Sequence, residues 1–492
     1  MSNRWTDQQI NIFDAVENGN GNLAIVARAG CGKTTVGIEI AKRLPVNTSA
    51  LFAAFGKADQ EELSARLPEH VEARTLHSLG FGAIRFNNKG MRVSVDNKKT
   101  FGLIDKMKNS GRLQSEMCND GTIRGFIVKT VSRAKNFGYT PNNASEFVEN
   151  EIYFEGVVDE TRAPTLHTII MNVIKAAADM IESVDFDDMV WLPFVHGWKP
   201  KRYGVVFVDE CQDMNPAQLW LARAACAPRG RTIVVGDPAQ AIYAWRGAGL
   251  DAFQNTVSSI GAIEMPMSLT FRCGRKIVAV AQEYVPDFAA GGSHDGVVDS
   301  LASDDDLIGA AKPGDFIISR TNAPLMNICL ALLKRGVPAY IRGRNFGQGL
   351  IQLIEKHRAG SIAATIENID RDVHARAARL SESDADKVNT LFDMLEAVKT
   401  LAEDHKTVDA WIKFLNDVFT DTDRHDRVVL STVHRSKGRE ADRVFLLGDT
   451  FNPDTGREAR NIFYVAITRA KQHLTFIGNT HGALEVANQT EH

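Results

Sequence analysis

Short apolar runs rich in β-branched residues alternate along this chain with longer mixed segments of helical spacing. A first set lies at 23–27, 50–54, 205–208 and 232–235. A second lies at Asp315–Ser319, Ala339–Ile341, Arg427–Ser431, Arg443–Leu447 and Leu474–Ile477. Strand-length runs separated by helical segments predict parallel strands joined by crossover helices, so two α/β units are expected. A polar, helix-rich stretch at about 85–185 falls between the runs of the first unit. It is too long for a loop and predicts an inserted subdomain. Another insertion, about 346–424, carries helical spacing at Ile351–His357 and Ala385–Leu401 and interrupts the second unit. There is no short repeat and no low-complexity tail.

Chemistry attaches to the ends of these runs. The first opens directly into Ala27-Arg28-Ala29-Gly30-Cys31-Gly32-Lys33-Thr34-Thr35, the order of a strand entering a phosphate-binding loop. Glycines 30 and 32 let backbone N–H groups close on phosphates, Lys33 brings a point charge to β/γ oxygens, and the Thr34 hydroxyl can ligate Mg²⁺. A following helix adds the positive end of its dipole. The run Val205–Val208 ends in Asp209-Glu210, the form of a Walker B site. There Asp209 can hold Mg²⁺ and Glu210 can act as general base on water. After the run at 232–235, Gln240 can bond a γ-phosphate or its attacking water, while Tyr243 and Trp245 can stack on unpaired bases.

Composition narrows the setting. The 492 residues are 44% hydrophobic and 24% charged, ordinary for a globular protein, and should form about three or four domains. A net charge of -4 excludes a simple basic coat or tail, so a nucleic-acid site has to be local. Lys98 to Lys135 holds nine basic against three acidic residues, a local +6, and reads either as a phosphate-attracting face or as an ordinary solvated one. Six scattered cysteines without a Cys-x-x-Cys pair disfavour zinc or a disulfide framework and fit a reducing cytosol. The polar N-terminus lacks a signal pattern, and no run approaches the roughly 18 apolar residues of a membrane span.

Taken in order, the motifs resemble the UvrD/Rep/PcrA-type DNA helicases of superfamily 1, from Trp5 to about Gly478. Trp5-Thr6-Asp7-Gln8-Gln9 resembles the Q motif, where Gln9 would read adenine. Ala54-Phe55-Gly56-Lys57-Ala58 and Thr75-Leu76-His77-Ser78 resemble motifs Ia and Ib, which implies DNA contacts at Phe55, Lys57, Thr75 and His77. Asp209-Glu210-Cys211-Gln212-Asp213 and the run from Gly236 through Tyr243, Trp245 and Arg246 to Ala248 match the family's next two signatures. In the second unit, Phe271-Arg272, Thr432 to Glu440 and Tyr464 to Ala470 resemble motifs IV, V and VI. The resemblance implies Arg272 and Arg469 as arginine fingers closing on triphosphate, Gly438 and Glu440 near the nucleotide, and His434 and Ser436 on the DNA side. Ala441-Asp442 departs from the aromatic usual after motif V, and the second insertion is much shorter than the family's.

The expected fold class is α/β, two RecA-like parallel-sheet motor domains of the P-loop NTPase type with mainly helical insertions. Residues 1–84 and 186–265 form the first motor domain, 85–185 its insertion, 266–345 and 425–492 the second, and 346–424 a short insertion. The expected activity is an ATP-dependent 3′–5′ DNA helicase that translocates on single-stranded DNA, with ATP and Mg²⁺ as cofactors. Catalysis falls to Lys33, Glu210, Gln240, Arg272 and Arg469. Nucleotide contacts extend over Gln9, Ala27 to Thr35 (with Arg28, Ala29 and Cys31 in the loop), Gly438 and Glu440, and metal ligation falls to Thr34 and Asp209. Single-stranded DNA and its junctions with duplex are the expected partners, with no membrane. A cytoplasmic monomer that self-associates on DNA is expected, nucleoid-associated in a bacterium or in the host cytoplasm if viral. Two alternatives stay open: a translocase that strips DNA without sustained unwinding, and a nucleotide-gated binding subunit. His77 and Cys31 also read as packing residues, and Asp187-Asp188, which resembles a family segment ahead of Walker B, reads equally as a solvated acidic turn.

Overall fold

The computed structural model describes residues 5–111, 116–243, 249–377, 385–402, 405–420 and 426–489. The chain divides into two compact units, one made of residues 1–28 and 32–268, the other of 29–31 and 269–492.

Six parallel strands form the sheet of the first unit: β1 (Leu23–Ala27), β2 (Ala50–Ala54), β3 (Val71–Thr75), β4 (Tyr203–Val208), β5 (Cys226–Gly236) and β6 (Ile263–Met267), in the order β3-β2-β4-β5-β1-β6. Central strands such as β2 are buried at every position, as a sheet covered by helices on both faces requires. The helix Lys33–Arg43 lies close against the sheet. A Cβ at Gly37 would come within 2.9 Å of the Phe207 ring, so only glycine lets this helix pack there. Four longer helices, Lys99–Asn109, Gly121–Asn136, Ser145–Glu155 and Ala163–Asp179, build a second core in this unit, with Ile104, Ile127, Val148 and Ile170 at its centre.

The second unit has seven parallel strands: β7 (Val297–Leu301), β8 (Phe316–Ser319), β9 (Ala339–Arg342), β10 (Phe419–Thr420), β11 (Val428–Thr432), β12 (Ala441–Leu447) and β13 (Ala470–Ile477), ordered β7-β13-β12-β8-β11-β9-β10. The helices Ile362–Ala377, Ala385–Ala402 and Val408–Val418 occupy the expected second insertion. They have no core of their own among the described residues: Val373, Leu395, Trp411 and Leu415 pack in one cluster with Ile317, Ile341 and Leu430 of the sheet. No described helix is long and apolar enough to cross a membrane.

The expected basic face at Lys98–Lys135 requires correction. Lys99 and Lys135 are buried, bonded to Asp188 and Asp185 at 2.6 Å, with Lys135 also 2.8 Å from Asp188. Arg124 pairs with Asp105 at 2.7 Å, Lys129 with Glu155 at 2.8 Å, and Arg133 with Glu151. Four of these five acids, Glu151, Glu155, Asp185 and Asp188, come from outside the short window that made the count look basic. Arg112 lies outside the described residues. Asp188 is likewise a fully buried partner and not part of a solvated turn.

Candidate active site

Three neighbouring strands, β4, β5 and β1, end on the same edge of the first sheet, and each delivers one part of the candidate site. Ligands of open parallel sheets bind at these carboxyl ends. After β1 the loop turns through Gly30 and Gly32, at φ +70° and +86°, conformations that cost other residues but not glycine. Gly32 caps the helix that starts at Lys33, so the first-turn N–H groups and the helix dipole face the loop. Thr34 and Thr35 stand in that first turn.

From β4, Lys33 receives its partner: its Nζ lies 2.7 Å from Glu210 Oε1. Glu210 has a left-handed backbone at φ +52°, unusual for a residue with a side chain, and its N–H donates to Asp209 Oδ1 at 2.9 Å. Burial and the adjacent Glu210 push the Asp209 carboxyl up to about 7. Burial opposes the Lys33 charge, but Glu210, Asp209 and Asp237 outweigh it and hold its pKa above the ordinary value. A buried carboxyl held next to a second carboxylate suits a divalent cation, which would relieve their repulsion. Among the described residues no group of three or more His, Cys, Asp or Glu forms a metal cluster. A cation at Thr34 and Asp209 would therefore draw further ligands from phosphate and water, the habit of Mg²⁺.

From β5 comes a buried hydrogen-bond chain that the sequence did not reveal. Asp237 is fully buried and accepts from Arg28 Nη1 at 2.8 Å, Gln240 Nε2 at 2.8 Å and the Ala239 N–H at 3.1 Å. Its own N–H donates to Gln212 Oε1 at 3.1 Å, and Gln212 Nε2 donates to Glu210. Thus Arg28, Glu210 and Gln240 belong to one network. Gln9, nearly buried, closes a capping box with Thr6: the Thr6 N–H donates to Gln9 Oε1 at 3.0 Å. Ala27, Ala29 and Cys31 are buried.

The ends of β2 and β3 carry a second group of residues. Phe55 and Lys57 follow β2, Phe55 exposed and Lys57 exposed with Glu61 3.6 Å away. Thr75 ends β3 and caps the next helix, its Oγ1 accepting from the Ser78 N–H at 3.1 Å. His77 is half-buried, and burial holds its pKa down against the pull of Asp187. Its ring lies 5.2 Å from that of Phe186, an exposed aromatic for which sequence reasoning assigned no role. Tyr243 is half-buried; Trp245 and Arg246 lie outside the described residues.

In the second unit, Glu440 and Arg469 precede the neighbouring strands β12 and β13 and are thereby brought together. Glu440 pairs with Arg272 and with Lys471, the latter at 3.0 Å. Burial opposes its charge, but the two cations prevail and hold its carboxyl below the usual range. Arg469 is buried, with bonds to the Val465 carbonyl at 2.8 Å, the Arg439 carbonyl at 3.1 Å and Thr468 Oγ1 at 3.2 Å. Burial and neighbouring Arg272 push its pKa down to about 10. Gly438 adopts φ +81°. His434 is half-buried on the short helix after β11, whereas Ser436 is fully buried and its hydroxyl donates to the Val433 carbonyl at 2.8 Å. Ser436 therefore does not offer its side chain to a strand of DNA in this conformation.

A family model described as the UvrD/REP helicase N-terminal domain matches residues 7–260, more than half of the chain. The chain belongs to the UvrD/REP helicase family. The UvrD-like helicase C-terminal domain matches residues 319–481. F-box DNA helicase protein 1 of Schizosaccharomyces pombe is 25% identical over 95% of this chain and 57% of its own length. F-box DNA helicase 1 of Gallus gallus is 23% identical over 98% of the chain and 50% of its own length. ATP-dependent DNA helicase PcrA of Leuconostoc citreum is 26% identical over 49% of the chain and 34% of its own length. This UvrD/REP family member thus spans about half the length of the first of these relatives, and its sheets and motif order are those of two RecA-like motor domains.

Proposed function

We propose that this chain is an ATP-driven motor that tracks single-stranded DNA 3′ to 5′ and unwinds duplex at its junctions with single strands. The observation that carries the reading is the joining of Lys33, Glu210, Asp209 and Gln240 at the ends of three adjacent strands. In this reading Lys33 binds the β/γ-phosphate oxygens, and Glu210, given up by Lys33 as the phosphate arrives, takes a proton from the attacking water. Gln240 orients that water. Mg²⁺ bound at Thr34 and Asp209 would supply charge neutralisation on the β/γ oxygens. Arg272 and Arg469 are proposed as arginine fingers, and Gly438 and Glu440 as nucleotide contacts, on the family pattern. Exposed Phe55 and Phe186, with His77 and Lys57, would meet bases and phosphates of the strand, stacking without regard to sequence. A monomer in solution that self-associates on DNA completes the proposal.

A second reading, a translocase without sustained unwinding, is favoured by one feature. The helices of 362–418 are built into the core of the second sheet and do not form a separate body.

The test compares ATP hydrolysis with and without single-stranded DNA, and unwinding of duplexes with a 3′ or a 5′ tail, for the wild type and Lys33→Ala. DNA-stimulated hydrolysis with unwinding from the 3′ tail alone, both lost in Lys33→Ala, is expected. Stimulation without unwinding selects the translocase, and no hydrolysis at all overturns the motor.

A further inference from the structure

Arg28 stands inside the phosphate loop, yet its guanidinium reaches away along the strand ends to Asp237 at 2.8 Å. Asp237 has no exposed surface, and Arg28 is 14% exposed, so this pair is largely withdrawn from water. A buried carboxylate is costly unless it is paired and fully hydrogen-bonded, and Asp237 meets that condition through Arg28, Gln240 and the Ala239 N–H. The consequence falls on Gln240. An ionised carboxylate can only accept, so the Gln240 side chain has to present its nitrogen to Asp237 and turn its oxygen elsewhere. Losing the guanidinium would remove the strut that holds the Asp237 carboxylate under Gln240.

We infer that Arg28 is a positioning residue for hydrolysis, fixing the amide of Gln240 through Asp237 in place of a direct contact with the triphosphate. Resting on the proposed ATPase reading, this assigns the loop arginine to the water-orienting part of the site and separates it from the phosphate cradle. Gln212 ties the same carboxylate's backbone to Glu210, so the water-orienting amide and the general base are held by one frame. The guanidinium meets Asp237 through Nη1 as part of a rigid planar group; lysine would supply the charge on a flexible stem.

Steady-state ATP hydrolysis at saturating oligothymidylate tests it, with the wild type, Arg28→Ala, Arg28→Lys, Gln240→Ala and the double variant Arg28→Ala/Gln240→Ala. Arg28→Ala should lower kcat on the order of tenfold to a hundredfold while the KM for ATP stays within about threefold. Arg28→Lys should recover part of kcat, and the double variant should be no slower than Gln240→Ala. A raised KM at unchanged kcat would make Arg28 a ligand of the triphosphate and overturn the inference, as would losses that multiply in the double variant. Should Arg28→Ala melt early, Arg28→Gln, which keeps most of the volume without the charge, replaces it with the same expectations. An inactive wild type would instead refute the ATPase reading, and this inference with it.

Discussion

A carboxyl group buried beside a second carboxylate resists ionising, and Asp209 is in that situation next to Glu210. Its pKa is raised in the folded state, to about 7, above the value of about 4 expected in an unfolded chain. Between those values the folded protein binds more protons than the unfolded one, so without metal this site costs stability as pH rises from about 4 to about 7, and the cost then levels off. Asp209→Asn removes the group. Melting in a chelator should therefore find Asp209→Asn more stable than the wild type at pH 8, by roughly 1–3 kcal/mol, with the gap narrowing toward pH 5. A gap that is constant with pH would show that Asp209 ionises normally. Mg²⁺ should raise the wild-type melting point more at pH 8 than at pH 6, and leave Asp209→Asn unmoved. At this scale the sequence was informative where chemistry is local: Lys33, Thr34, Asp209 and Glu210 are named by spacing within short motifs. Asp237 and Gln212 were visible as letters but not as partners, because their bonds join the ends of different strands.

Elements were legible in proportion to how fully they are buried. The interior strands of both sheets coincide with the apolar runs, for example β2 and β8, which are buried throughout. Within the six- and seven-stranded sheets, the four strands that the apolar pattern did not mark, β3, β6, β7 and β10, are the four edges. An edge strand is covered less, so Glu72, Arg74, Glu264, Pro266, Asp299 and Ser300 are tolerated and dilute the signal; Pro266 is admissible only because β6 has an unpaired side. The inserted helices of the first unit hid a different fact. Lys99, Lys135, Asp185 and Asp188 form a buried knot, with Lys99 also donating to the Ala177 and Met180 carbonyls at 2.9 and 2.7 Å. Breaking a buried pair from one side leaves an uncompensated charge, so Lys99→Met should cost roughly 3–5 kcal/mol in denaturant unfolding. Lys99→Met/Asp188→Asn should recover part of that loss. If Lys99→Met behaves like a surface change, within about 0.5 kcal/mol, the knot is not a structural feature of the folded subdomain.

Across the molecule the two insertions differ in kind. In the first unit the helices between Lys99 and Asp179 surround a core distinct from that of the sheet, in which Leu51, Val206 and Val234 are central. In the second unit one core serves both sheet and inserted helices, and Trp411 is its largest fully buried side chain. Sequence separation concealed this, since Trp411 lies far along the chain from Ile317 and Leu325, members of the same cluster. Removing a large core aromatic costs roughly 3–5 kcal/mol, and a shared core passes that cost to every element that borders it. Trp411→Ala should therefore lower the unfolding free energy of the whole second unit. Hydrogen exchange should report faster opening in β8, β9 and β11 as well as in the helix Val408–Val418. An independent insertion would confine the change to residues 362–418 and leave the exchange of β8 and β11 untouched. That outcome would restore a separable subdomain and remove the feature that favours translocation without sustained unwinding.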